Sequence, residues 1–344
     1  MDHASGKFLR VRQDWLDLLV EDVIEPELPI IDAHHHLWDR PGWHYLLDDL
    51  LADIHSGHRI VATVFVQCLA MYRQADQSPL RVVGETEFAN GIAAMAASGQ
   101  YGATRICDGI VAYADLRLGD DVGRVLDAHA ARGGSRFKGI RQIAAWDTNP
   151  LAVNPETLAS EGMLSDARFR QGFAALAPRS LSFDAWVFHT QLPELVALAR
   201  AFPETAIVLN HLGTPLGIAG YERQRDATRK LWLANLRQLA ACPNVMVKLG
   251  GLGMRPAGMG FAEHAAPLPS TRLADLMRPC IEPCIELFGA QRCMFESNFP
   301  VDKASYSYRT CWNAFKRLAL GASVEERQAL FHDTAARFYR LPTP

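Results

Sequence analysis

The stretch IDAHHHLWD, residues 31–39, carries three consecutive histidines directly after a short apolar run. On an extended strand, residues two apart point to the same face. His34 and His36 should therefore face one way, and His35 should pack outward or bond to a neighbouring loop. Histidine is the commonest metal ligand and general base. The pair therefore leaves three interpretations open: a metal site, an acid–base site, or ordinary polar residues at the end of a strand.

Seven further runs like the one before these histidines recur along the chain, with helical patterns between them. They are mostly continuously apolar, which is typical of parallel strands that are covered on both sides. The eight runs are LPIIDAH (28–34), IVATVFVQ (60–67), ICDGIVAYA (106–114), RFKGIRQ (136–142), SFDAWVFH (182–189), TAIVLNH (205–211), NVMVKLG (244–250) and RCMFES (292–297).

Eight strands that alternate with helices predict an α/β fold, a (β/α)8 TIM barrel, in a single domain over residues 28–344. Residues 1–27 are predicted to form a helical N-terminal extension, and the segment after 320 a closing helix. A doubly wound sheet is the alternative, but no G-x-G-x-x-G follows the first strand. Two long connections, 143–181 and 250–269, follow strands on the side where barrel enzymes keep their sites, so we expect them to cover it.

Composition excludes several classes of partner. Apolar residues make up 49% of the chain and charged residues 21%, and the net charge is -3 with no basic run. Nucleic acid and anionic membranes are therefore not expected as partners. No run of 18 apolar residues and no leader pattern is present, so we expect a cytoplasmic protein. A small-molecule substrate is the expected partner, and a homodimer is left open.

Polar side chains gather at the predicted carboxyl ends of the strands, where active sites of such barrels lie. This pattern predicts a functional site, because chance would supply only two or three such residues. In chain order the residues are His34, His36, Gln67, Asp115, Arg141, His189, His211, Lys248, Glu296 and Asn298.

Six stretches together resemble the amidohydrolase superfamily, and within it the amidohydrolase-2 group of TIM-barrel hydrolases. They are IDAHHHLWD, FKGIRQ, LSFDAWVFHTQLPEL, NHLGTP, NVMVKLGGL and RCMFESNFPVD, spread over nearly the whole chain. The group includes lactonases for sugar lactones and for 2-pyrone-4,6-dicarboxylate. The resemblance implies a carbonyl polarised by His34, His36 and His189, which act either as metal ligands or as direct hydrogen-bond donors.

The last predicted strand departs from the pattern of that group. Asn298 stands where the group usually has an aspartate, and an amide cannot act as a base at neutral pH. Glu296 and Asp302 are the candidate bases, although Glu296 could instead form a buried ion pair with Lys248 or Arg141. Loss of the aspartate also weakens metal binding. We therefore expect no required cofactor, with one weakly bound divalent ion such as zinc left open.

The resulting hypothesis is a hydrolase, a probable lactonase, that opens a small lactone or related cyclic ester. Catalysis is assigned to His34, His36, His189, Glu296, Asn298 and Asp302. Binding of a carboxylated or sugar-derived substrate is assigned to Gln67, Arg141, His211, Lys248 and Arg255, because arginine suits carboxylates. Two alternatives remain: a metal-dependent decarboxylase or hydratase of the same family, and a relative that binds a small molecule without catalysis.

Overall fold

Eight parallel strands form the centre of the molecule. The structure, a computed structural model, describes residues 8–342. The eight strands are β1 (Ile30–His35), β4 (Ile60–Val66), β5 (Arg105–Ala112), β6 (Phe137–Arg141), β7 (Ser182–Ala185), β8 (Ile207–Leu209), β9 (Val245–Leu249) and β10 (Cys293–Phe295). Each pairs with the next in the order β1-β4-β5-β6-β7-β8-β9-β10. An antiparallel hairpin of β2 (Trp38–Arg40) and β3 (Trp43–Tyr45) follows β1.

The sheet closes between its two outermost strands, just beyond their carboxyl ends. The backbone N–H of Asn298 donates to the carbonyl of His34 at 2.9 Å, and that of His36 donates to the carbonyl of Phe299 at 2.8 Å. The first and last strands are thus joined where the histidines lie. The predicted (β/α)8 barrel is confirmed.

Helices surround the strands. They are α1 (Gln13–Leu16), α2 (Leu47–Ile54), α3 (Val83–Ala97), α4 (Val122–Gly133), α5 (Ala167–Phe173), α6 (Leu192–Ala201), α7 (Arg225–Ala240), α8 (Ser270–Phe288), α9 (Tyr308–Leu318), α10 (Val324–Gln328) and α11 (Thr334–Phe338). Within residues 8–342, none of these helices has the length and apolar character needed to cross a membrane.

The strands are buried on both faces, as their continuously apolar sequences predict. Outward side chains such as Phe65 and Ile140 pack against the helices in one large core. Inward side chains such as Val64 and Val208 form a second, smaller core with Phe338 and its neighbours near the carboxyl end of the chain. The predicted closing helix therefore fills one end of the barrel, and the opposite end is left for the site.

Three local predictions are wrong. The strand predicted to end at His189 ends at Ala185, and the one predicted to end at His211 ends at Leu209. In both places the backbone leaves the extended conformation, and each histidine lies in a 3-10 helix. The N-terminal extension is helical only over the four residues of α1 among those described. Residues 1–7 of that extension and residues 343–344 lie outside the described part, and the domain boundary at 27/28 stays a prediction.

Candidate active site

The three histidines divide as their period-two spacing predicts. The Nε2 atoms of His34 and His36 are 3.2 Å apart inside the barrel. His35 faces the helices, with Nε2 2.8 Å from the Thr63 hydroxyl and its ring against Phe65. All three are buried. Burial lowers the pKa of His34 and of His36 well below the usual value, so both rings are neutral at pH 7.

The hydrogen on His36 can be assigned from its partner. Its Nδ1 lies 2.7 Å from the carbonyl oxygen of Val66, which can only accept. Nδ1 must therefore carry the hydrogen, and Nε2 of the neutral ring keeps a free lone pair.

Glu296 lies between two histidines. Its Oε1 accepts hydrogen bonds from the backbone N–H of His211 at 3.1 Å and from Nδ1 of the same ring at 2.7 Å. Its Oε2 lies 2.8 Å from Nδ1 of His34 but forms no hydrogen bond with any residue from 8 to 342. The carboxylate therefore bonds to His211 and contacts His34, and it does not form the predicted ion pair with Lys248 or Arg141. Burial lowers the pKa of His211, and the Glu296 charge opposes that shift.

Two glycines leave room for this carboxylate–imidazole pair. A Cβ on Gly251, which has φ +70°, would lie 2.4 Å from Nδ1 of His211. A Cβ on Gly250 would lie 2.4 Å from the carbonyl oxygen of Glu296 and 2.5 Å from its Cγ. His211 itself has φ 53°, a left-handed conformation that costs energy for a residue other than glycine. The loop after β9 and the turn after β8 are both shaped around this contact.

A second buried network lies beside the histidines. Nζ of Lys248 donates to Oδ2 of Asp184 at 2.7 Å and lies 3.3 Å from Nδ1 of His34. The hydroxyl of Tyr339 and the amide of Asn210 donate to the same carboxylate. Lys248 is fully buried and lies outside the cavity walls described below, so the structure does not place it for contact with a substrate.

The predicted site residues do not include Asp184 or Tyr339. For Asp184 a signal existed, since a charged residue inside a strand that is buried on both faces needs a partner. For Tyr339 no sequence signal existed, because this residue lies near the carboxyl end of the chain, far in sequence from Asp184.

Arg141 is the cation nearest to the paired histidines. Its Nη1 lies 3.2 Å from Nε2 of His34, and its Nη2 donates to the backbone carbonyl of Gln67. The guanidinium lies 5.8 Å from the ring centroid of Trp186. Nε of Arg141 and both side-chain amide atoms of Gln67 are buried and have no hydrogen-bond partner among residues 8–342.

Asn298 and Asp302 form one unit. Nδ2 of Asn298 donates to Oδ1 of Asp302 at 2.8 Å, and Oδ1 of Asn298 has no partner within the described residues. Asp302 also accepts from the backbone N–H of Gly253 at 2.9 Å and from the Tyr306 hydroxyl at 2.5 Å. Burial raises the pKa of Asp302 to about 7 in spite of these donors.

His189 and Arg255 lie apart from this cluster. Nδ1 of His189 is 3.4 Å from the backbone nitrogen of Leu216, and its ring contacts that of Tyr221. Burial lowers the pKa of His189 to about 4. Because β7 ends at Ala185, the chain has turned before His189, and among residues 8–342 His189 is not grouped with His34 and His36 within ligand distance. Arg255 donates to the carbonyl of Leu151 in the other long loop.

Two connected spaces open beside these groups. The central cavity, of about 50 Å³, is lined by His36, Arg141, Trp186, His211 and Asn298, among others. A larger cleft of about 640 Å³ adjoins it. Residues from the long loops, including Ile143, Glu156 and Met254, contribute to the walls, as expected of loops that cover a site.

His34, His211 and Glu296 form a candidate metal site, because each offers a ligand atom within 4.8 Å of the others. One atom of this group is open for a ligand role, since Oε2 of Glu296 is buried and has no hydrogen-bond partner among residues 8–342. Two cations nevertheless stand against a tightly held divalent ion. The ammonium of Lys248 lies 3.3 Å from one ring nitrogen of His34, and the guanidinium of Arg141 lies 3.2 Å from the other. A nearby positive charge repels a cation at either nitrogen.

Comparisons with known proteins agree with this architecture. An uncharacterised protein of Sinorhizobium fredii, y4mH, is 35% identical over 339 residues, covering 92% of this chain and 99% of that protein. An L-fucono-1,5-lactonase of Burkholderia multivorans is 33% identical over 210 residues, covering 59% of this chain and 67% of that enzyme. A solved amidohydrolase from Burkholderia multivorans with bound zinc is 28% identical, with a TM-score of 0.70, and the match covers 91% of this chain and 99% of that one.

The family model Amidohydro_2, described as amidohydrolase, matches residues 31–341. That span includes every strand of the barrel except the first residue of β1, and all the histidines, acids and cations of the cluster. With a relative above 30% identity along its whole length, the conclusion is direct: the chain belongs to the amidohydrolase family.

Proposed function

We propose that this enzyme hydrolyses a small lactone or a related cyclic ester at the central cavity. The observation that carries the proposal is the Glu296–His211 pair, a carboxylate bonded to the Nδ1 side of a ring that lines the cavity. The names of two relatives support it, since both, at 33% and 27% identity, are called L-fucono-1,5-lactonase.

His211 acts as the general base in this proposal. Its Nδ1–H donates to Glu296, which leaves Nε2 as the ring nitrogen with a free lone pair. A water at the cavity wall loses its proton to that nitrogen as the oxygen attacks the carbonyl carbon. Glu296 stabilises the imidazolium that forms, so it acts through His211 rather than on the water itself.

Asn298 orients the attacking water. Its Nδ2 is committed to Asp302, and its free Oδ1 can accept the second hydrogen of the water. An amide suits this task, although it cannot take the proton. Asp302 holds the amide in that orientation, and we assign it no direct part in proton transfer.

Arg141 stabilises the oxyanion of the tetrahedral intermediate. Its guanidinium lines the cavity and is held by the Gln67 carbonyl and Nε2 of His34. A fixed cation in a water-excluded site stabilises developing negative charge more strongly than water does. The intermediate then collapses, the ring carbon–oxygen bond breaks, and the leaving alkoxide takes the proton from His211. The product is a hydroxy acid, which releases its own proton at neutral pH.

The other predicted residues receive supporting roles. His36 keeps the lone pair on Nε2, which lies 3.2 Å from Nε2 of His34, and at the cavity wall this lone pair accepts a hydrogen bond from a substrate hydroxyl. His34 positions Arg141. We assign His189, Lys248 and Arg255 to the support of loops and core, and propose that the reaction proceeds without a tightly bound metal ion.

The proposal is tested by proton release from a panel of substrates. The panel should contain L-fucono-1,5-lactone, δ-valerolactone, an open-chain ester, an amide and an aromatic carboxylic acid, assayed by a pH indicator and by carbon dioxide release. Opening of the lactones in preference to the amide and the open-chain ester is expected. Release of carbon dioxide without lactone opening would favour a decarboxylase and refute the proposal.

A further inference from the structure

The larger cleft has walls that the proposed reaction does not use. It lies beyond the carboxyl ends of β4, β5 and β6, and we call it the side cleft. Six of the residues that line it are Gln67, Leu69, Tyr72, Arg81, Tyr113 and Asp115. At about 640 Å³ it is more than ten times the size of the central cavity of about 50 Å³, so it has room for a sizeable molecular group. A single lactone ring placed at Arg141 would leave it largely unfilled.

The side cleft is continuous with the central cavity. Leu69, Ile143 and Glu156 line both spaces. Gln67, one of the residues that line the cleft, also holds Arg141 through its backbone carbonyl. A substrate with its carbonyl at Arg141 would therefore extend directly past Leu69 into the side cleft.

Gln67 is the first sign of a ligand there. Its side chain is 0% exposed, and neither its amide nitrogen nor its oxygen has a partner among residues 8–342. Leaving a buried donor and acceptor unpaired costs free energy that a fold does not normally tolerate. A ligand group that offers both a donor and an acceptor, such as a hydroxyl, would satisfy the amide.

Charge and aromatic rings give the second sign. Arg81 lies 5.7 Å from the ring centroid of Tyr72, whose ring is 6.3 Å from that of Tyr113. No carboxylate among residues 8–342 forms an ion pair with Arg81. Two carboxylates line the same cleft: Asp115 is paired with Arg117 at 2.9 Å, and Glu156 lies 3.9 Å from Arg40. The wall therefore offers flat aromatic surface beside a cation that is free to take an anion.

We infer that the side cleft binds the non-reacting part of the substrate, a second flat ring that carries a carboxylate, and that Arg81 selects for that carboxylate. The inference rests on the proposed lactone hydrolysis for the placement of the carbonyl. It goes beyond that proposal, because it makes the substrate a lactone that carries a ring-bearing substituent rather than a single-ring lactone.

The kinetic test compares two δ-valerolactones, substituted at the ring carbon next to oxygen with a 4-carboxyphenyl or with a phenyl group. In the wild type, kcat/KM for the carboxylated compound should exceed that for the phenyl compound by roughly tenfold or more, the value of a charge-assisted hydrogen bond. Arg81→Gln should bring the ratio near one. Arg200→Gln, an exposed arginine on α6, is the matched control and should keep it. A ratio near one in the wild type, or one unchanged by Arg81→Gln, overturns the inference.

A binding test separates this inference from the reaction. Titration calorimetry with 4-propylbenzoate and its neutral amide needs no turnover. The acid should bind, and Arg81→Gln should weaken it about tenfold while Arg200→Gln does not. If 4-propylbenzoate binds in this Arg81-dependent way but no lactone is opened, the proposed function is refuted and the side cleft remains an aryl-carboxylate site. Absent binding, or equal binding of acid and amide, refutes the cleft assignment.

Gln67→Met supplies an independent readout. Methionine has a similar shape and no polar group to leave unpaired. If the amide is kept for a ligand, the variant should melt roughly 2 °C higher, because a buried unpaired donor and acceptor are removed. It should also lose turnover of a lactone whose second ring carries a hydroxyl. A lower melting temperature with unchanged turnover would mean that Gln67 is structural and that nothing binds its amide.

Discussion

The Asn298 side chain donates from Nδ2 to Oδ1 of Asp302 at 2.8 Å. Replacing Asn298 with the aspartate usual in the resembling group would set two carboxylates at that distance. Like charges so close raise the pKa of one of them further above its value in the unfolded chain. Stability is then lost as the pH rises from the pKa of that carboxyl in the unfolded chain to its higher pKa in the folded protein. Asn298→Asp should lower the free energy of unfolding by roughly 1–4 kcal/mol at pH 8 and by less at pH 5.

Denaturant unfolding at the two pH values measures this loss. The control is the exchange variant Asn298→Asp with Asp302→Asn, which keeps one amide and one carboxylate in contact and should recover most of the stability at pH 8. Equal stability of Asn298→Asp and the wild type at pH 8 would mean that the site readily accepts a second negative charge, as a bound cation would allow.

Glu296→Gln should lower kcat by about a hundredfold to ten-thousandfold, because His211 loses the carboxylate that stabilises its protonated form. The Glu296 charge raises the pKa of His211 against the effect of burial. The acid limb of the pH–rate profile should therefore move to lower pH in the variant. Disappearance of that limb would instead identify Glu296 itself as the base.

His36 and His35 offer a contrast between neighbours. His36→Ala removes a wall of the central cavity and the contact to His34, and should lower kcat/KM by roughly a hundredfold, as a small displacement of reacting groups can. His35→Ala loses the Thr63 hydrogen bond and core packing, and should cost about 1–3 kcal/mol of stability with activity retained. Activity assays and melting curves on both variants test this. An inactive but stable His35→Ala protein beside an active but destabilised His36→Ala protein would contradict the assignment.

His129 makes acid stability predictable. It is buried between the Thr86 hydroxyl and the Tyr113 carbonyl, and burial lowers its pKa to about 4. The unfolded chain therefore binds a proton first, and stability falls as the pH drops from about 6.5 toward 4. Between pH 7.5 and pH 5 this histidine should account for about 2 kcal/mol of lost stability. His129→Gln should show a correspondingly smaller loss in denaturant titrations, and an identical loss in both proteins would exclude this role.

The sequence predicted the barrel because its strands are buried on both faces and so carry an unmistakable apolar pattern. It predicted the shared face of His34 and His36 for a similar reason, since that face depends only on the period of an extended chain. It failed at His189 and His211, where the backbone leaves the strand early. The positive φ of His211 and the turn around it depend on contacts with Gly251 and Glu296, which lie far away in the sequence.

The partners of the buried charged residues could not be predicted from the sequence either. Glu296 could have paired with Lys248 or Arg141 on sequence grounds, and the structure gives it to two histidines because Asp184 takes the lysine. Tyr339 completes that network from the last helical segment, which crosses to the strands only in the folded barrel. Such choices are set by three-dimensional competition among charges rather than by any local pattern.

The central claim is that His211, backed by Glu296, opens lactones without a tightly bound metal ion. The most direct test is kcat/KM for the best lactone of the panel, measured on chelator-treated protein of known metal content, for the wild type and His211→Gln. We predict that the chelated wild type retains its activity with far less than one metal ion per chain. We also predict that His211→Gln loses about a hundredfold to ten-thousandfold. Activity that vanishes on chelation and returns with one zinc per chain, or a His211→Gln enzyme as active as the wild type, would contradict the account.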